Sequence, residues 1–143
     1  MSISNYLTTA QTVQSEIIEA IAEIAGIDSI GLLSPADGNA VSFAGGKDSR
    51  QYLDGSAFQT IDLQLRGKGR DQRRAADDLF RICEKLTRIK PGDFPKTDDW
   101  EIRRITVKNL PALREQSGDG TWFYECIISA DYYYKLRKDG KKL

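Results

Sequence analysis

Asp62, Gln64 and Arg66 occupy alternate positions in the run Thr60-Ile61-Asp62-Leu63-Gln64-Leu65-Arg66. Successive side chains of an extended chain point to opposite faces, so these three share one face of a strand and Ile61, Leu63 and Leu65 share the other. Asp54 lies shortly upstream. A carboxylate on a strand that leads into a basic helix is the outline of a metal-dependent nuclease, where acidic side chains hold Mg²⁺ against a phosphodiester. That chemistry needs a second acidic ligand and a lysine on the same strand, and Gln64 and Arg66 stand there instead. Asp62 is better read as a solvated residue on the strand's polar face.

The second group is cationic. Arg66, Lys68, Arg70, Arg73 and Arg74 form the densest basic cluster of the chain, and nucleic-acid phosphates are a partner such a cluster could face. Asp71, Asp77 and Asp78 offer partners within the chain at helical spacing, which is the plainer account. Cations in a first helical turn oppose the helix dipole, a small cost that favours some partner for them.

Other chemistry is thinly represented. The chain has no histidine, which removes the commonest general base and metal ligand and any Ser-His-Asp or Cys-His pair. Cys83 and Cys126 are the only cysteines and form no CxxC pair, so neither a zinc site nor a disulfide framework is expected, and both read as small buried hydrophobes. Gly45-Gly46-Lys47-Asp48-Ser49 lacks the order of a phosphate-binding loop and precedes no helical pattern. No cofactor, metal, small-molecule substrate or catalytic residue is assigned, and the chain is read as non-enzymatic.

The elements that position these residues follow from hydrophobic period. From Leu7 to Ala25, the apolar residues Ala10, Val13, Ile17, Ile21 and Ile24 recur at helical spacing, with Gly26 as the stop and Thr8, Thr9 or an earlier Ser/Asn as the cap. Ile27–Leu33 and Ala40–Ala44 suggest a short hairpin around Ser34–Asn39, with the second strand stopping at Gly45-Gly46. The strand through Asp62 turns at Gly67-Lys68-Gly69 into a helix striped by Ala75, Leu79, Ile82 or Cys83, Leu86 and Ile89, which Pro91 ends. Trp100–Val107 is a further strand whose apolar phase shifts between Ile102 and Ile105, as a bulge would produce. A polar loop, 114–120, leads to the aromatic and β-branched run 121–134. Tyr132, Tyr133 and Tyr134 must point to both faces of that strand. The aromatics of this run lack the basic interleaving of an RNA-binding sheet and are read as core or subunit interface.

These elements predict an α+β fold: a mixed or antiparallel sheet of about four to five strands packed against two amphipathic helices. The 143 residues suit one domain, with a basic tail over 135–143 expected to be mobile. No apolar run approaches the length of a membrane span, and no signal peptide is expected at the N-terminus. Net charge is zero but segregated: residues 1–62 hold two basic and eight acidic side chains, a net of −6 that the remainder offsets.

The order of elements resembles the small head-to-tail joining proteins of long-tailed bacteriophages, closest in pattern to tail terminators, including those described as minor capsid proteins of phages and prophages. The resemblance is carried by Asp54-Gly55-Ser56, by the strand Ile61–Arg66 with its following helix, and by Trp122-Phe123-Tyr124-Glu125-Cys126-Ile127-Ile128 leading to Asp131-Tyr132-Tyr133. It implies a virion structural protein, assembled in the bacterial host cytoplasm as a homo-oligomeric ring, commonly a hexamer. Such a ring caps the tail tube, meets the tail tube protein and a head-completion protein, and encounters nucleic acid only as passing DNA. Two complementary faces per subunit suit such a ring, and the segregated charge fits that need. Under this reading, Asp62, Gln64, Arg66, Arg70, Arg73 and Arg74 are expected at subunit or partner contacts. The alternatives are a nucleic-acid-binding module using the cluster 66–74 and a metal-dependent nuclease using Asp54 and Asp62.

Overall fold

The computed structural model describes residues 3–31, 38–51, 56–135, 137–138 and 141–142. Helix α1 spans Ile3–Ala25 and helix α2 Gln72–Thr87. Strands β1 (Ser29–Ile30), β2 (Gly38–Gln51), β3 (Ser56–Gly69), β4 (Trp100–Gln116) and β5 (Trp122–Lys135) form one sheet in the order β1-β2-β3-β5-β4. Only β1 and β2 run parallel; every other neighbouring pair is antiparallel. The fold is α+β with a five-stranded mixed sheet, as the periodicities predicted. In the tail, Arg137–Lys138 (β6) pairs with Lys141–Lys142 (β7).

Both helices pack on one face of the sheet. Ile61, Leu63 and Leu65 of β3 point there, level with Ala130, Ile128 and Cys126 of β5, and all six side chains are buried. From above, Val13, Ile17, Ile21, Leu79, Cys83 and Leu86 close the same core. Tyr132 and Tyr134 are buried on the helix side while Tyr133 takes the other face, as strand alternation requires. The Tyr132 hydroxyl donates to Gln59 Oε1 at 2.6 Å, and Trp100 Nε1 donates to Glu16 Oε1 of α1 at 2.9 Å. Each large aromatic thus satisfies its polar end while burying its ring.

Local chemistry sets the element ends. At the end of α1, Ile27 N–H bonds Ala22 C=O and Gly26 N–H bonds Glu23 C=O. That pattern needs a left-handed residue, and Gly26 has φ 70°. The side chain of Asp71 caps α2 by accepting from Arg74 N–H at 3.2 Å.

Several expected boundaries move. Gly67-Lys68-Gly69 is the end of β3, paired with Tyr124, Phe123 and Trp122 of β5, and the turn into α2 falls at Arg70-Asp71. The glycine at 67 serves close packing: a Cβ there would lie 3.1 Å from Leu79 Cγ. Gly45 and Gly46 do not stop β2, which passes through a register shift between Phe43 and Gly45 and stays paired with β3.

The expected hairpin of 27–33 with 40–44 is also corrected, because β1 pairs parallel with β2. Asp28 N–H donates to Asn39 Oδ1 at 2.8 Å and Asn39 N–H to Asp28 Oδ2 at 3.0 Å, which holds the two segments in that sense. The hairpins of the sheet are β2–β3 and β4–β5.

β4 continues to Gln116, so the expected loop shrinks to a turn at Ser117–Gly120. The bulge foreseen between Ile102 and Ile105 is present between Ile102 and Arg104. α1 begins well before Thr8 and Thr9, which lie inside it and cannot cap it. The loop 32–37 and the segment 52–55 fall outside the described residues, as do tail residues 136, 139, 140 and 143.

Candidate assembly surface

The alternation that buries Ile61, Leu63 and Leu65 sends Asp62, Gln64 and Arg66 to the sheet face away from the helices. Neighbouring strands bring partners level with each. Asp62 Oδ1 accepts from Ser129 Oγ at 2.5 Å, and its Oδ2 accepts from Lys108 Nζ at 3.3 Å. Gln64 Nε2 donates to Glu125 Oε2 at 2.9 Å, while Arg66 Nε donates to Gln64 Oε1 at 3.2 Å. Arg114 of β4 reaches Glu125 from the far side at 3.7 Å, and Thr60 Oγ1 donates to Asp131 at 2.7 Å. The result is a cross-strand polar lattice spanning β3, β5 and β4.

Within this lattice Asp62 is engaged by the protein's own groups. Its two oxygens already serve a hydroxyl and an ammonium, and no group of three or more Asp, Glu or Cys side chains that could hold a metal occurs among the described residues. Asp54, the other carboxylate considered for that role, lies outside the described residues. No buried side-chain N or O among the described residues lacks a hydrogen bond.

Arg70, Arg73 and Arg74 do not join this face. They lie at the turn into α2 and on its first turn, exposed on the helix layer. Arg73 approaches Asp77 at 3.9 Å, and an exposed pair of that length contributes little. Arg70 and Arg74 line a cleft of about 610 Å³ between the end of α1, the β2–β3 strand ends and α2, together with Lys68, Arg81 and Lys85. Its carboxylates are engaged locally: Asp28 with Asn39 N–H, Asp71 as the helix cap and Asp78 with Arg81 at 3.3 Å.

The six residues singled out from the sequence therefore divide between two surfaces. Sequence reasoning missed Glu125, Ser129, Asp131, Lys108 and Arg114, which complete the lattice. The signal for the first three was available in the polar alternates of a run whose aromatic content drew notice first. Lys108 and Arg114 could not be placed, because the bulges of β4 break its period.

No protein-family model matches the chain, and no curated protein matches it. Among solved structures, the chain is similar to one described as the virion of native gene transfer agent (GTA) particle. The TM-score is 0.49 at 11% identity, and the match covers 83% of this chain and 90% of that one. So distant a likeness leaves the role of the protein to its own residues. No helix among the described residues is long and apolar enough to cross a membrane.

Proposed function

We propose that this protein is a virion structural subunit of the tail-terminator type, which forms a ring at the end of a tail tube and joins it to the head. The observation that carries the reading is the second face of the sheet, against which no described helix packs. Its polar groups are bonded to one another across three strands in a stiff platform, a surface suited to stacking against a partner rather than to turning over a substrate. The element order that resembles tail terminators supports the same reading, as does the segregation of charge along the chain. Size-exclusion chromatography with light scattering, alone and with tail tubes, tests it. The expected result is a closed oligomer bound at tube ends; a monomer under both conditions overturns it.

A second reading has one observation in its favour. The cleft beside α2 gathers five cations against three carboxylates, so a phosphate backbone could lie in it. Binding to labelled DNA across a salt series decides this, since phosphate contacts give an affinity that falls steeply with salt. Salt-insensitive or absent binding removes it.

A further inference from the structure

Among the described residues, both lateral edges of the sheet are open over long stretches. β1 pairs with β2 only at Ala40 and Val41, so among the described strands nothing pairs with the outer side of β2 from Ser42 onward. At the other edge, residues 95–97 bond to the start of β4, and no described strand pairs with its outer side beyond Ile102. Natural sheets blunt such edges or use them, because a row of unpaired backbone groups is a template for another strand.

Of the five large apolar residues exposed among the described residues, Phe80 lies on α2 and the other four fall at these same edges. Ile30 and Phe43 are each 49% exposed at the β1–β2 edge, and Leu110 and Leu113 are 67% and 48% exposed on β4. Traced across the ladder, Ile30 is level with Val41, Leu65 and Cys126. Cys126 lies between Glu125 and Ile127, whose β4 partners are Ala112 and Asn109. Ile30 and Leu110 thus sit at the same height on opposite edges.

Strand direction completes the argument. With β2, β3, β5 and β4 alternating in sense, a second copy in the same orientation brings its β2 antiparallel to this β4.

We infer that copies of this chain join head to tail by strand addition, with the β4 edge of one lying antiparallel to the β1–β2 edge of the next. Leu110 then faces Ile30, while Phe43 and Leu113 lie at the same joined edges on either side of that level, and the sheet continues from copy to copy. The contact is heterologous: each subunit spends one edge on each neighbour, so the chain closes into a ring when the rotation between copies permits. This rests on the self-assembling reading above and specifies its interface.

Two variants test it. Leu110→Asp/Leu113→Asp spoils one edge and Ile30→Asp/Phe43→Asp the other; all four side chains are roughly half exposed or more, and unchanged circular dichroism and melting confirm each fold. Each variant alone is expected to be monomeric by light scattering. An equimolar mixture is expected to yield a heterodimer that grows no further, since it holds one intact pair of edges. If wild-type protein assembles but the variants assemble equally well, or their mixture stays monomeric, the interface lies elsewhere and the ring reading stands. If wild-type protein is monomeric with and without tail tubes, both fall.

Discussion

The Sγ atoms of Cys83 on α2 and Cys126 on β5 lie 3.5 Å apart, one thiol hydrogen-bonded to the other in the middle of the core. Both are buried and free. The bond to Cys83 and the loss of solvent push the Cys126 thiol above its ordinary range. In the unfolded chain that thiol ionises at its ordinary value. The contribution to stability is therefore full below that value and lost as pH rises beyond it. At pH 8 an aromatic disulfide reagent is expected to label neither cysteine in the folded protein and both in denaturant. Rapid labelling of the folded protein is the outcome that contradicts this packing.

Gly67→Ala places a methyl 3.1 Å from Leu79 Cγ, at a side chain with no exposed surface. Overpacking of this kind costs about 1–3 kcal/mol. Trimming the neighbour, as in Gly67→Ala/Leu79→Val, is expected to cost less than the sum of the two single changes, because the methyl enters the space released. Urea melts of the four proteins measure it, and strict additivity would show that the two sites do not touch.

Tyr132→Phe removes the donor that Gln59 Oε1 accepts at 2.6 Å. A part-buried carbonyl left without that donor costs about 1–3 kcal/mol. Replacing both partners, as Tyr132→Phe/Gln59→Leu, is expected to recover part of the loss. Equal destabilisation in the single and double variants would place the effect elsewhere.

The turn between β4 and β5 predicts an acid transition. Ser117 Oγ–H and Thr121 N–H both donate to Asp119, and these bonds, Ser117 first, hold its carboxyl down at about 2. Because the folded value lies below the ordinary 3.8, the stabilisation is present above 3.8 and lost as pH falls toward about 2. The melting difference between wild type and Asp119→Ala should shrink across that window. A carboxyl NMR titration centred near the ordinary value would contradict it.

Much of the fold was legible in the sequence because a single period governs each long element. The stripe Ala75, Leu79, Ile82, Cys83, Leu86 is buried as read, and the alternation Ile61, Leu63, Leu65 places its neighbours on the opposite face without any tertiary information. The polar character of Asp62, Gln64 and Arg66 was determined at that stage, since a half-buried strand exposes alternate residues whatever lies beside it.

What the tertiary structure alone decided was pairing. That Gly67 lies within a strand follows from its pairing with Tyr124, with Leu79 packed close above it, and the parallel sense of β1 and β2 is held by the Asp28–Asn39 bonds. Separating Asp62, Gln64 and Arg66 from Arg70, Arg73 and Arg74 required the turn at Arg70-Asp71 to lift the chain onto the helix layer. The edges, too, belong to no local pattern. Strand order assigns the short β1, with β2 beyond it, to one edge and β4 to the other, and sets Ile30 level with Leu110, two residues far apart in sequence. Periodicity records which way a side chain faces; which strand lies next to it depends on long-range packing that no short window contains.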